Sequence, residues 1–223
     1  MKLNAILASV ALLLTAYVAS ADDDMGTDRG LMGFRDAMQL YDKELYGRSG
    51  VLFERIWKDS GMADPAGYAL LCDVKADVPG YANSIDTFVA EYPHSVLIPQ
   101  IRYHHALNLF DKRDYKAAAA VFAQISEKQL YRAQRTGYVF MNAYCALENG
   151  DMTLSREGFM DVEGRKVSDY TAPSRYGIGY IEYQLKNFVE AIVWFEKSAE
   201  DVRFRDMARY YILECRFMMK DYD

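Results

Sequence analysis

Apolar residues recur along most of the chain at helical spacing, and they do so in pairs of segments. Tyr103, Ala106 and Phe110 fall on one face of a helix, and Ala118 and Phe122 fall on one face of a second helix. The polar residues 111–114 between them form a connection too short for anything but antiparallel neighbours. The pattern therefore predicts a hairpin of two antiparallel helices.

The same order of apolar, small and aromatic positions returns at intervals of about 34 to 37 residues, starting at Tyr103, Phe140, Tyr176 and Tyr210. An earlier start at Phe34 lies twice as far from Tyr103, so a further unit must lie between them. That unit departs from the register of the others but shows two helical segments, 65–76 and 82–91. The sequence predicts an all-α solenoid of antiparallel helix pairs, with about five and a half repeats near 31–61, 62–95, 99–133, 136–170, 173–203 and 205–223.

Small residues and prolines support this division into helices. Pro65, Pro99 and Pro173 stand where a helix would begin, and there a missing backbone N–H costs nothing. One small residue recurs at the centre of each first helix and another on each second helix, and both would allow the paired helices to approach closely. They are Ala37, Ala106, Ala143 and Gly179 on the first helices, and Ser49, Ala118, Ser155 and Ala191 on the second.

These features carry a family resemblance. A helical hairpin of about 34 residues, with Asp114-Tyr115 at its turn and Ala118 four residues before Phe122, resembles the tetratricopeptide repeat. The resemblance covers residues 31–223 almost entirely. It implies a right-handed superhelix whose inner groove, lined by the first helix of each repeat, accepts a peptide or a helix of a partner protein. The segment 91–95, with Tyr92 and Pro93, is similar to linkers of exported bacterial members of the family that act in envelope assembly.

The resemblance also implies which positions face the groove. Aromatic side chains at helical spacing are as typical of packing between repeats as of a binding surface, so both interpretations stay open at each position. Tyr144, Tyr180 and Tyr183 are the preferred anchors, because a tyrosine ring packs while its hydroxyl faces water. The full set is Phe34, Met38, Tyr41, Tyr103, Leu107, Phe110, Asp111, Phe140, Tyr144, Leu147, Tyr176, Tyr180, Tyr183, Tyr210 and Phe217.

The N-terminal residues 1–21 have the pattern of a secretory signal peptide. Lys2 precedes an apolar run at 5–18, and Ala19-Ser20-Ala21 fits the small-residue cleavage pattern. The run is shorter than the roughly 20 residues of a membrane-spanning helix, which disfavours an uncleaved anchor. No cysteine precedes Cys72, so a lipoprotein is not expected. We therefore expect an exported protein with a flexible segment at 22–30; the periplasm is favoured, and secretion is the alternative.

Charge and chemistry exclude several classes of function. The formal net charge of −6 argues against a nucleic-acid partner, which would need a basic surface. His104 and His105 diverge by about 100° on a helix, and no metal-ligand, phosphate-loop or nucleophile pattern occurs. Cys145 and Cys215 stand two repeats apart, too far for a disulfide, so the cysteines are expected to be packing residues. We expect no enzyme activity, no cofactor and no metal.

The preferred interpretation is a non-catalytic protein- or peptide-binding scaffold of the bacterial cell envelope. One alternative is a structural spacer, or the N-terminal part of a larger assembly protein. Another is a carbohydrate-binding module or enzyme that uses the groove tyrosines with Glu148, Glu182 and Glu214. The last predicted helix is too apolar to be bare on both sides, which predicts either a continuing repeat protein or self-association through an open C-terminal end.

Overall fold

The structure, a computed structural model, describes residues 26–220, with side chains from Gly33 onward. The predicted signal segment 1–21, residues 22–25 and residues 221–223 lie outside this range. The first helix begins at Gly26, inside the segment 22–30 for which flexibility was predicted. Residues 26–220 form eleven α-helices and one short 3-10 helix at Glu127–Gln129: α1 Gly26–Asp42, α2 Tyr46–Ser60, α3 Ala63–Lys75, α4 Ala82–Glu91, α5 Ile98–Asp111, α6 Tyr115–Phe122, α7 Arg135–Glu148, α8 Met152–Glu163, α9 Thr171–Gln184, α10 Phe188–Ser198 and α11 Arg205–Met218.

The helices pair in chain order, and the chain divides into two compact units. The N-terminal unit, up to residue 98, holds the pairs α1/α2 and α3/α4. The C-terminal unit, from residue 99, holds α5/α6, α7/α8, α9/α10 and the single helix α11. Within the units, each second helix also packs against the first helix of the next repeat, as α8 does against α9 and α10 against α11. The all-α architecture of stacked helix pairs predicted from the sequence is confirmed.

The same type of backbone turn ends the first helix of every complete repeat. After α5, Arg113 adopts a left-handed conformation (φ 62°), and the Asp114 N–H donates to the carbonyl of Leu109 at 2.9 Å. This is the hydrogen bond of a Schellman motif, which satisfies a carbonyl at the helix end. Asp114 Oδ1 then caps α6 by accepting from the Ala117 N–H at 3.1 Å. The left-handed residues of the five turns are Glu44, Asp77, Arg113, Gly150 and Lys186.

The small residues predicted at the centre of the first helices lie at the closest contacts within the pairs. Ala106 is fully buried, and a methyl group added to Gly179 would come within 2.9 Å of the Phe195 ring. In the second repeat the paired helices approach each other closely at a different position. It has Leu70 at the small position, while Gly67 lies against Phe88, 3.0 Å from where a side-chain carbon would stand. That exchange explains why this repeat departs from the register of the others.

Arginines link successive elements of the C-terminal unit. Arg165 makes two parallel hydrogen bonds to the carboxylate of Glu127, at 2.8 and 3.0 Å. Arg175 of α9 makes a similar pair to Glu163 at the end of α8, at 2.9 and 3.1 Å. Paired bonds of this kind fix geometry better than single surface ion pairs. They join the 3-10 helix to the segment that follows α8, and the end of α8 to α9. No helix within residues 26–220 is long and apolar enough to cross a bilayer.

Candidate partner-binding surface

The predicted residues of repeats 3 and 4 meet in one group of rings. The Phe110 ring lies 5.5 Å from Tyr144 and 5.4 Å from Tyr115, and Tyr115 and Tyr144 are 5.5 Å apart, all between ring centroids. Phe140 packs 5.6 Å from the buried Phe159 ring. Edge-to-face contacts at these distances stabilise the packing of the rings. The predicted positions Leu107 and Leu147 are also partly buried against the cores of their repeats.

In repeat 5 the three predicted tyrosines surround one further tyrosine that the sequence analysis did not select. The Tyr211 ring of α11 lies 6.1 Å from Tyr176, 5.9 Å from Tyr180 and 5.2 Å from Tyr183. Tyr211 also stacks on the Phe195 ring at 5.1 Å. The predicted anchors Tyr180 and Tyr183 are therefore in contact with the next repeat, while each remains partly exposed.

The N-terminal unit contains an equivalent group. Phe34 lies 5.3 Å from Phe53, and Tyr41 lies 5.7 Å from Tyr68. Tyr68 stacks on Phe53 at 5.1 Å, as Tyr211 stacks on Phe195. Met38, the other predicted position of this repeat, is packed against the same core.

Tyr68 and Tyr211 hold the same position in their repeats, nine residues before the left-handed turn residue. That position is Arg35, His104, Met141 and Gly177 in the remaining repeats, so no aromatic pattern marks it along the chain. The adjacent pair Tyr210-Tyr211 is the sequence feature that indicates a tyrosine in contact with the preceding repeat. Only one member of that pair can face the preceding repeat, because adjacent residues diverge by about 100° on a helix.

The fifteen positions predicted to face the groove differ in their exposure. Tyr103 is only 5% exposed and belongs to the core of repeat 3, because its ring lies beside Phe122 of the second helix. Tyr210 and Phe217 of α11 are strongly exposed, at 58% and 63%. Asp111 is also exposed. The others are partly exposed rings or side chains that pack against a core and still reach the surface: Phe34, Met38, Tyr41, Leu107, Phe110, Phe140, Tyr144, Leu147, Tyr176, Tyr180 and Tyr183.

The hydroxyls of Tyr144, Tyr176 and Tyr183 have pKa values above the ordinary value of a tyrosine. Burial raises the pKa of Tyr144, and the hydrogen bond to Glu148 adds to this effect. Burial likewise raises the pKa of Tyr176 to about 12. Burial and the nearby carboxylate of Glu214 raise the pKa of Tyr183. At neutral pH these side chains therefore combine an apolar ring with a hydroxyl that can donate or accept a hydrogen bond.

The carboxylates that a sugar-binding or catalytic interpretation requires are not equivalent. Glu182 is 3% exposed and accepts from Arg156 Nε at 2.6 Å and from Asn187 Nδ2 at 2.9 Å. Its burial raises the pKa, but the hydrogen bonds from Asn187 and Arg156 outweigh this effect and hold the pKa below its ordinary value. Glu182 is thus engaged in joining α8 to α9. Glu148 is exposed, and Glu214 is partly exposed.

The three cysteines are packed in the cores of their repeats. Cys72, Cys145 and Cys215 are buried free thiols, and burial raises the pKa of Cys145 to about 11. All three lie five residues before a left-handed turn residue, so they occupy one repeat position. Within the described part of the chain, no three histidine, cysteine or acidic side chains are grouped as metal ligands.

Comparison with solved structures identifies the fold. MamA of strain AMB-1 superposes with a TM-score of 0.62 at 17% identity, over 80% of this chain and 92% of that chain. MamA of strain MSR-1 gives 0.59 at 16% identity, over 77% and 95%. PilF of Pseudomonas aeruginosa gives 0.53 at 12% identity, over 86% and 92%. MamA and PilF are tetratricopeptide-repeat proteins. The chain has the tetratricopeptide-repeat fold.

The resemblance read from the sequence is thereby confirmed at the level of fold. No protein-family model matches the sequence, and no curated protein matches it.

Proposed function

We propose that this chain is a non-catalytic protein- or peptide-binding scaffold of the bacterial cell envelope, and that its C-terminal unit carries the binding surface. The observation that carries the proposal is the row of partly exposed tyrosines on the first helices of repeats 4 and 5. Tyr144, Tyr180 and Tyr183 each have a ring fixed by neighbouring rings. We call these three residues the tyrosine surface.

A fixed tyrosine is well suited to binding a partner. Its ring loses little conformational entropy on binding, because packing in the free protein already holds it in place. Its neutral hydroxyl can hydrogen-bond to the backbone of an extended segment, while the exposed ring edge covers an apolar side chain. The hydrogen-bonded Glu148 lies beside Tyr144 and adds an acceptor. The tyrosine surface therefore suits a peptide or helix of mixed polarity.

The envelope location is supported by the sequence alone. Residues 1–21 have the charge, apolar length and small-residue ending of an export signal. We propose export to the periplasm, with secretion as the alternative. N-terminal sequencing of the chain recovered from cells would begin at Asp22 after processing, and recovery of an unprocessed chain in the cytoplasmic fraction would overturn this part of the proposal.

A structural role is the second candidate, because the rings that face the surface also pack between helices. In that role the tyrosine surface makes no contact with a partner, and contacts are made by the ends of the repeat array. The exposed apolar side chains of α11, among them Leu213 at 65%, favour such contacts and would permit self-association. The two roles differ in which part of the molecule lies next to a partner.

Site-specific cross-linking in intact cells separates the two candidates. A photo-reactive phenylalanine analogue is placed in the full chain at Tyr180 or Tyr183, and at Val189 as a matched control. Val189 is 70% exposed on α10, the second helix of the same repeat. Cross-links to a protein from both tyrosine positions, and none from Val189, would support the proposed binding surface.

Conservative substitutions then test the role of the hydroxyls. Tyr180→Phe and Tyr183→Phe keep the rings, and therefore the packing against Tyr211, but remove the hydroxyls. We expect the pair to weaken partner retention about tenfold, since two hydrogen bonds contribute roughly 0.5–1.5 kcal/mol each. Tyr138→Phe is the control, because the Tyr138 hydroxyl donates to the carbonyl of Ile125 at 2.9 Å inside the fold. Unchanged retention in the double variant, or equal loss in the control, would refute the assignment.

A further inference from the structure

The connections between successive repeats carry the most exposed large apolar residues of the described chain. Val167, Val96 and Val202 are 79%, 75% and 72% exposed, and each stands in a connection that follows a second helix. Tyr131, 57% exposed, has this place in the connection after α6. The four residues follow one another at intervals of 35 or 36 residues, the length of a repeat. Recurrence at one place in the repeat indicates a common surface, because isolated exposed apolar residues would be scattered.

Three of these connections lie side by side in the C-terminal unit. Arg165 of the second connection binds Glu127 of the first, at 2.8 and 3.0 Å. Arg175, near the start of α9, binds Glu200 of the third connection at 3.0 Å. The apolar residues of these connections are therefore exposed on neighbouring loops. We call the three connections together the connection edge, which consists of residues 123–134, 164–170 and 199–204.

The acidic side chains of the connection edge each lie close to an arginine. Glu127 and Glu200 are held by the contacts given above. Asp201 binds Arg203 at 2.7 Å, in a pair whose arginine side chain is 54% exposed and whose carboxylate side chain is 25% exposed. Asp201 and, less strongly, Asp169 raise the pKa of Arg203. No carboxylate of the connection edge is therefore without a nearby positive charge.

Several basic side chains of the connection edge, in contrast, are not compensated. Lys128, Arg132 and Lys166 are exposed and form no ion pair with any residue that the structure describes. Arg132 directly follows Tyr131, and Lys166 directly precedes Val167. The uncompensated charge beside the apolar residues is therefore positive, although the chain as a whole has a formal net charge of −6.

An anionic lipid bilayer fits such an edge better than a protein does. The apolar residues stand on separate loops, roughly 10 Å apart if the repeats stack at helix-packing distance, so they do not form the continuous patch of a protein interface. A bilayer takes up separate apolar side chains one by one among its headgroups, and tyrosine is favoured at that depth. Lysine and arginine beside them are attracted to anionic headgroups.

We propose that the connection edge binds the surface of an anionic lipid bilayer, with Tyr131, Val167 and Val202 inserted among the headgroups and with Arg132 and Lys166 next to lipid phosphates. The contact is peripheral and uses only loops. It goes beyond the binding of a protein partner and leaves the tyrosine surface free, because that surface lies towards the other ends of α7 and α9.

A fluorophore at the proposed contact tests the insertion. The environment-sensitive dye NBD is attached to Val167→Cys or Val202→Cys in the full chain, and to Val189→Cys, at a position 70% exposed on α10, as the matched control. The native cysteines are buried thiols and react poorly with the reagent. The probes are vesicles of phosphatidylcholine with or without roughly 30% phosphatidylglycerol. With the anionic vesicles only, emission at positions 167 and 202 rises and shifts to the blue, whereas emission at position 189 is unchanged.

Titration of the label at position 202 with anionic vesicles then measures the contribution of the charges. Arg132→Gln and Lys166→Gln each weaken binding about fivefold, the effect of one basic residue near an anionic surface. Lys116→Gln removes the same charge at an exposed position at the start of α6, next to a turn within a repeat, and leaves binding unchanged. Circular dichroism of each variant establishes that the fold is kept. A readout from position 202 is also distinct from lipid binding by the apolar segment 5–18.

Four results would overturn the proposal. They are no change of emission at positions 167 and 202, an equal change at position 189, an equal response to uncharged vesicles, and an equal loss of binding in Lys116→Gln. The first is also the result expected if the connection edge contacts a protein instead of lipid. Cross-linking at Tyr180 and Tyr183 measures contact with a protein, so failure of that proposal is distinguishable from failure of this one.

Discussion

Gly177 lies under an aromatic ring, and adding a single methyl group there tests how closely the repeats are packed. Gly177 is inside α9, and its position is occupied by the core-facing Tyr211 in the next repeat. A β-carbon at Gly177 would stand 2.4 Å from Cε2, 2.8 Å from Cδ2 and 3.0 Å from Cζ of Phe159. Phe159 is 1% exposed and also packs against Phe140, so its ring has no free space to enter.

The expected magnitude follows from two opposing effects. Alanine favours the interior of a helix over glycine by about 1 kcal/mol. Overpacking a closed core costs roughly 1–3 kcal/mol, and contact with three ring atoms at once argues for the upper end of that range. Gly177→Ala should therefore lower the free energy of unfolding by about 2 kcal/mol. For a protein of this length that corresponds to a fall in Tm of about 4–8 °C.

Tryptophan fluorescence during urea unfolding measures the loss of stability in the C-terminal unit, which contains Gly177. The chain has two tryptophans, and Trp194 belongs to the same core as Phe159. In a Trp57→Phe background, Trp194 alone reports on the C-terminal unit. Gly164→Ala is the matched control, because a β-carbon there meets nothing closer than 3.5 Å and the backbone φ of −70° suits alanine. The control should be neutral or stabilising by about 0.4–1 kcal/mol.

A second substitution tests whether the cause is the ring. In a Phe159→Leu background the contact is removed, and Gly177→Ala should then cost much less than in the parent chain, which a double-mutant cycle measures as a coupling energy. If Gly177→Ala proves as stable as Gly164→Ala, or if its cost is the same with leucine at position 159, the packing argument is refuted.

Three further predictions concern buried polar groups. Ser49→Ala should destabilise the chain by about 1 kcal/mol in thermal unfolding, because the Ser49 hydroxyl donates to the carbonyl of Ala37 at 2.8 Å inside the core. Ser155→Ala, at the same repeat position, should instead stabilise by about 1 kcal/mol, because the buried Ser155 hydroxyl has no hydrogen-bond partner among the described residues; a loss of stability would contradict this. Glu182→Gln should lower the free energy of unfolding by about 1–3 kcal/mol at pH 7. Since the pKa of Glu182 is lowered in the folded state, its contribution to stability is present above the ordinary pKa of a glutamate and is lost as the pH falls through the folded value. The difference in unfolding free energy between Glu182→Gln and the parent, measured in urea, should therefore shrink from pH 7 towards pH 3. A difference that stays constant would contradict the ion pair with Arg156.

The repeat, the helix pairs and their turns follow from the sequence by itself. Each depends on residues close together in the chain: the spacing of apolar residues, the prolines at helix starts, and the turn in which Asp114 caps the following helix. The helix α4, Ala82–Glu91, agrees with the predicted segment 82–91 even though its repeat departs from the common register. Local spacing is enough here because a helical hairpin forms its main contacts within a few tens of residues.

The surface exposure of each ring was decided only by the tertiary structure. Tyr103 and Tyr210 hold the same position in their repeats, yet one is 5% and the other 58% exposed, because a second helix covers the first and no described helix covers the other. Likewise Tyr211 is a packing residue because Phe195 of the preceding repeat lies beneath it. A repeated pattern assigns the same face to every copy, whereas burial depends on which neighbour is present, and that neighbour lies elsewhere in the chain.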